Sequence, residues 1–217
     1  MVAPGDKFGL HNNSINNLER GVLERVIWVE KDGKFVSTPP IQKHYFAKVL
    51  RRELADIRSR SEVTPSVTGH EFAEMYTGRR RKLNLEAADS LRITPIQPHD
   101  SRKSVFVKAE KVDPKKAPRV ISPDAGRRLL VAMGRYLKVI EEKMYHVLDA
   151  ICSHIPTVMK GYNAREIGKF VEAKWNRFSD PVAIGLDAVK FDKHVSVDAL
   201  EYEHSTYEYF FTEKEWG

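Results

Sequence analysis

The sequence predicts an α/β fold of the α+β type in which helix predominates. Three observations lead there. Apolar residues recur at helical spacing through two long stretches, 41–60 and 129–151. Two Thr/Asn-x-x-Glu boxes, Thr68 with Glu71 and Asn163 with Glu166, mark further helix starts. The strand-like runs are short and scattered, at 26–36, 104–108, 119–122 and 182–186.

Taken in order, the first forty residues read as irregular or short-strand structure. HNNSINN, 11–17, is rich in turn and cap formers, and VIWVEKDGKFV, 26–36, alternates around Asp32-Gly33 as a hairpin does. After Pro39-Pro40, a helix is expected over 41–60, with Ile41, Tyr45, Phe46, Val49, Leu50, Leu54 and Ile57 on one side and a basic outer face. Thr68 caps a short helix ending near Tyr76, and GRRRK separates it from a second, Leu85–Leu91, which stops before Pro95. Strands at 104–108 and 119–122 flank a Lys/Pro-rich turn. A long helix then carries Leu129 through Ile151, and Asn163 caps another, whose Trp175, with Phe178 just beyond, reads as core. Val182–Leu186 reads as a short buried strand, and Ser196 caps a last helix with Leu200, Tyr207, Phe210 and Phe211. A lone strand leaves its backbone groups unpaired, so the expectation is a chain cut within a domain.

The 217 residues are 41% hydrophobic, enough for one sizeable core or two small ones. The single cysteine, Cys152, cannot form an internal disulfide, and eight histidines without Cys-x-x-Cys or His-x-x-x-His spacing do not make a structural zinc site. No apolar run reaches membrane-spanning length and MVAPGDKFGL has no signal-peptide core, so a reducing, cytosolic setting is expected. The net charge is +6, but residues 78–138 hold 16 Lys and Arg against 6 Asp and Glu, a local excess of ten. Such an excess suits a polyanionic partner, and equally a solvated basic face.

GLDAVKFDKHVS, 185–196, brings Asp187 to the end of the apolar run and Asp192 into the turn beyond. Two nearby carboxylates suit magnesium, a hard cation that takes oxygen ligands and substrate phosphates. By itself the spacing fits a helix cap and a surface charge as well.

The apolar-Gly-Leu-Asp-x4-Asp arrangement resembles motif A of viral RNA-dependent RNA polymerases. VKAEK, 107–111, followed by APRVISP, 117–123, resembles motif F of the polymerases of tombusvirus-like (Tombusviridae) plant viruses. HNNS, Asn16-Asn17-Leu18, Arg20-Gly21 and Glu24-Arg25-Val26 resemble the opening of that polymerase domain, and EFAEMYTGRRRK with Ala87-Ala88-Asp89-Ser90-Leu91 its motif G region. The resemblance runs from Phe8 to the end. It implies a right-hand polymerase fragment of three parts: 1–40 an N-terminal fingers segment, 41–180 the fingers with motifs G and F, and 181–217 the start of the palm.

The resemblance also implies roles. Asp187 is the metal ligand, for magnesium or manganese, and Asp192 meets the ribose 2′-hydroxyl. Arg119 packs near the incoming base, while Lys108, Lys111 and Lys116 meet triphosphate or template phosphates. Glu110 pairs with one of these cations. For Lys115-Lys116 a solvated turn stays open as the alternative. Arg79, Arg80, Arg81 and Lys82 line the template path without reading sequence, with a nuclear-localisation signal as the rival. Arg127 and Arg128 oppose the dipole of the long helix, which calls for an anionic neighbour, RNA or Asp124.

The Ser-Gly motif B and Gly-Asp-Asp motif C of that family are absent from this sequence. The implied activity is templated nucleotidyl transfer from NTPs in viral RNA replication, with this chain alone expected to be inactive. Implied partners are RNA template and product and NTPs, with a viral auxiliary replication protein and the host membrane reached only indirectly. The implied location is the host cytoplasm, at membrane-bound replication complexes. A non-catalytic RNA-binding module built on the same basic fingers is the alternative.

Overall fold

A computed structural model describes residues 8–122, 126–188, 191–212 and 214. Helix predominates, and two small two-stranded antiparallel sheets accompany it. Contrary to the irregular expectation for the first forty residues, Ile15–Val22 forms a helix (α1), continued by a π-helical turn over Leu23–Ile27. Ser14 caps α1 by accepting from the Asn17 amide at 3.3 Å, so the cap formers in HNNSINN start a helix rather than a loop. The hairpin β1 (Val29–Lys31) and β2 (Lys34–Val36) turns at Asp32 and Gly33, both with positive φ, 52° and 72°. Such a turn matches the strand twist.

The helix expected over 41–60 is broken in two. Leu50 leaves helical geometry at φ −100°, ψ 28°, separating α2 (Tyr45–Val49) from α3 (Arg51–Arg60). Of its apolar stripe, Ile57 packs against the core while Ile41, Tyr45 and Val49 stay exposed. The capping box of Thr68 and Glu71 forms as expected and opens α4 (Gly69–Glu74). The next helix, α5, spans Gly78–Ile93, so GRRRK is its first turns and not a separator. Lys and Arg propagate helix well, and Arg81 is anchored back onto α4.

Strands form within the expected stretches, though only two residues long each, β3 (Phe106–Val107) and β4 (Val120–Ile121), and they pair antiparallel, Phe106 with Ile121 and Val107 with Val120. The long helix α6 (Arg127–Cys152) organises the packing. Along its first half, Val131 meets Phe72, Ala87 and Ala88 of α4 and α5; along its second half, Ile140 and Val147 meet Phe210 and Phe211. Asp124 lies outside the described residues. The anion that answers Arg128 is Asp100, 6% exposed at its side chain and 2.9 Å from the guanidinium. Arg128 also donates to the Thr94 and Pro95 carbonyls, so it locks the end of α5 to α6.

Helix α7 (Ala164–Trp175) carries the expected Asn163–Glu166 capping box. Trp175 and Phe178 are exposed, 45% and 67%, and not core, because no described element covers that face of α7. The stretch 181–188 is irregular and forms no strand, and Val182, Ile184 and Leu186 are 78%, 80% and 92% exposed. The buried strand expected here is therefore corrected. A strand exists only through a neighbour's hydrogen bonds, and none of the described residues supplies them. A short 3-10 turn, Phe191–His194, leads into α8 (Val197–Glu208), capped by Ser196 as expected. No helix among the described residues is long and apolar enough to cross a membrane.

Candidate nucleic-acid interface

Four of the predicted cations share one loop. Lys108 and Arg119 face each other at the open end of the β3–β4 ladder, where the Lys108 amide donates to the Arg119 carbonyl at 2.7 Å. Lys111 and Lys116 lie exposed on the loop between them. Glu110 gathers the two ladder residues, with Lys108 Nζ at 2.9 Å and Arg119 Nη1 at 4.0 Å. The bond from Lys108 holds the Glu110 carboxyl below its ordinary range, helped by the charges of Lys108, Arg119 and Arg25 and opposed by partial burial. Glu110 is therefore ionised at neutral pH, and its stabilising pull on the loop is lost only as pH falls through that lowered value.

The loop is held from outside by the N-terminal segment. Gly9 and Val112 form an antiparallel bridge, with N–H···O distances of 2.9 and 3.0 Å. His11 Nε2 donates to the Lys116 carbonyl at 3.1 Å, and Arg20 Nη2 to the Lys115 carbonyl at 2.7 Å. Asn13 Oδ1 accepts from the Val107 amide at 3.0 Å. Helix α1 sits so close that a Cβ on Gly21 would meet the Pro118 carbonyl oxygen at 2.8 Å and Val120 Cγ1 at 2.5 Å. The result is a fixed loop with Lys111, Lys116 and Arg119 facing solvent, a geometry suited to polyphosphate or nucleic-acid backbone.

The second basic cluster opens α5. Arg79, Arg80 and Lys82 are exposed. Arg81 is committed elsewhere: its Nε and Nη2 each donate to Glu74 at 2.6 Å, a two-pronged bond that lowers the Glu74 carboxyl below its usual range.

Of the carboxylate pair, Asp187 is exposed on the irregular stretch before the Phe191–His194 turn. Asp192 belongs to that turn, and its side chain lies outside the described residues. Among the described residues no three His, Cys, Asp or Glu side chains converge. Asp187 carries a carboxylate oxygen, a donor of the hard kind, and a magnesium ion takes several such donors.

The model of the family described as "Viral RNA dependent RNA polymerase" matches residues 1–217. The chain belongs to this viral RNA-dependent RNA polymerase family. Among curated relatives, the RNA-directed RNA polymerase of Maize chlorotic mottle virus is 44% identical over 206 residues, covering 93% of this chain and 21% of the relative. That of Tomato bushy stunt virus is 42% identical, covering 93% of this chain and 25% of its own length. That of Turnip crinkle virus is 42% identical, covering 94% and 26%. The chain thus spans about a quarter of the length of the relatives it matches. No solved structure matches it.

Within this polymerase-family chain, the residues that the sequence reading missed are the ones that hold the basic loop: Gly9, His11, Asn13 and Arg20. Their only sequence signal is HNNS with Arg20-Gly21, and nothing in that signal names the loop 95 to 105 residues away. Glu74 was missed likewise, though it stands seven residues before Arg81.

Proposed function

We propose that the chain is the fingers and early palm of a positive-strand virus RNA-dependent RNA polymerase of the right-hand type, which joins NTPs to an RNA 3′-hydroxyl on an RNA template. The supporting observation is the relatedness to RNA-directed RNA polymerases across more than nine-tenths of the chain. In this reading 1–40 and 41–180 are fingers and 181–217 begins the palm.

Lys108, Lys111 and Lys116 neutralise triphosphate or template phosphates, and Arg119, permanently charged and planar, packs by the incoming base. Glu110 presets the spacing of Lys108 and Arg119 before nucleotide arrives. Arg79, Arg80 and Lys82 track the template backbone without reading bases. Arg81, tied to Glu74, does so less. Asp192 accepts from the ribose 2′-hydroxyl and so selects ribonucleotides. Asp187 is the residue of this chain that holds magnesium or manganese, together with motif C carboxylates of the longer enzyme. The metal supplies charge stabilisation at the attacking and leaving oxygens. The 217 residues alone, without motifs B and C, make no product. Auxiliary replication protein and host membrane are engaged through parts of the enzyme outside this chain, placing it at membrane-bound replication complexes in the host cytoplasm.

The test compares two variants of the full-length enzyme on one template. Asp187→Asn abolishes synthesis, because a neutral amide replaces a carboxylate on a hard cation. Asp192→Asn retains synthesis but loses roughly 1.5–3 kcal/mol of ribonucleotide over deoxyribonucleotide discrimination, the worth of one hydrogen bond to a charged group. Wild-type rate and selectivity in both variants would make the pair structural.

A further inference from the structure

We propose that Asp198 is a positioning residue for the turn that carries Asp192. Helix α2 begins without a local cap: His44, at φ 56°, offers no side-chain bond to the first turn. The first four amides of any helix lack intrahelical partners. Here the Phe46 amide, in that first turn, donates to Asp198 Oδ2 at 3.0 Å, across 152 residues. Asp198 is 6% exposed, so its carboxylate is kept from water and depends on the protein for hydrogen bonds. It lies in the first turn of α8 as well as against the start of α2, and both helix N-termini favour a negative charge.

The neighbouring residues extend the tether. Lys193, inside the Phe191–His194 turn, donates from Nζ to the Trp28 carbonyl. Ser196 caps α8 through the Ala199 amide at 3.2 Å and fixes the helix start two residues after the turn. On the other side of the turn, 181–188 has no strand partner among the described residues. The restraint on the turn therefore comes from its C-terminal side and from the N-terminal segment of the chain. The same elements line an open cleft of about 720 Å³, which includes Pro39, Ile41, Tyr45 and His194, and beside it Phe46 of α2 packs on Tyr202 of α8, with ring centroids 6.3 Å apart. Two directed hydrogen bonds add to that packing a fixed register, Phe46 amide to Asp198 and Lys193 to Trp28. A residue that reads a 2′-hydroxyl needs placement within a fraction of an ångström. Asp198 touches no substrate; it sets where Asp192 stands.

This inference rests on the polymerase reading, and the experiment separates the two. Full-length enzyme is prepared as wild type, Asp187→Asn, Asp198→Ala and Asp198→Asn. Nucleotide kinetics are measured below the melting temperature of every variant, with ribonucleotides and deoxyribonucleotides. Asp198→Ala is expected to raise the nucleotide KM and to lower sugar discrimination about fivefold, the loss of one net hydrogen bond. Asp198→Asn keeps an acceptor, though a neutral one, and is expected to lose about twofold. RNA affinity is unchanged in both. Wild-type discrimination in Asp198→Ala, with only a lowered melting temperature, overturns the positioning role. If that variant does not fold, wild-type discrimination in Asp198→Asn overturns it instead. Absence of templated synthesis by the wild-type enzyme would sink the polymerase reading itself, and full activity in Asp187→Asn would remove only the metal role of Asp187, whatever Asp198 does.

Discussion

Arg81 shows why a count of charges is a poor guide to what those charges do. It sits in the densest basic run of the sequence, yet both prongs of its guanidinium are spent on Glu74. Arg128, another cation of the 78–138 segment, is spent on Asp100 and two carbonyls. Arg79, Arg80 and Lys82 remain exposed. The triple change Arg79→Ala, Arg80→Ala, Lys82→Ala is therefore expected to flatten the salt dependence of RNA binding, by roughly 0.7 in log–log slope for each phosphate no longer neutralised. Arg81→Ala alone should change that slope little and should loosen the α4–α5 turn instead. Filter binding or fluorescence anisotropy across a salt series reads both. An unchanged slope in a folded triple variant would remove these residues from the RNA path.

At the scale of elements, what was legible in the sequence was local chemistry. The boxes at Thr68–Glu71 and Asn163–Glu166, the Ser196 cap and the Asp32-Gly33 turn all form, because each is decided by residues a few positions apart. What was not legible depends on partners far along the chain. The run Val182–Leu186 reads as a buried strand by composition, but burial and pairing belong to a neighbour, and composition cannot supply one. The basic loop was legible as a loop, while its docking on residues 9–21 was not, since a single antiparallel bridge leaves no pattern. That docking has a consequence at Gly21. Its Cα faces the Pro118 carbonyl so closely that Gly21→Ala must push α1 away from β4. Such overpacking is expected to cost about 1–3 kcal/mol, offset by up to about 1 kcal/mol of improved helix propensity. In the full-length enzyme the change should raise the nucleotide KM, because the loop bearing Lys111 and Lys116 moves with β4. A lowered unfolding midpoint with unaltered KM would confine the effect to stability.

Both core clusters lie along α6, whose 26 residues span about 39 Å at the ordinary rise of a helix. One core cluster gathers near its start around Phe72 and Val131, and the other towards its end around Ile140 and Phe210. Phe210 is fully buried, and its carbonyl accepts from the Thr64 amide at 2.7 Å, so it pins the end of α8 to both α6 and the segment after α3. Phe210→Ala is expected to cost about 3–5 kcal/mol in denaturant unfolding. Hydrogen exchange should speed up first along α8 and the second half of α6, while the α4–α5 cluster keeps its protection. Uniform acceleration across both clusters would mean that the two ends of α6 unfold as one unit. The grip of Arg20 on Lys115, across 95 residues, also sets a schedule. A ribosome adding about 5–20 residues per second makes Arg20 about 5–20 s before the carbonyl it will hold. Through that interval the nascent α1 lacks the Pro118–Val120 stretch on which Gly21 closes, and must wait for it.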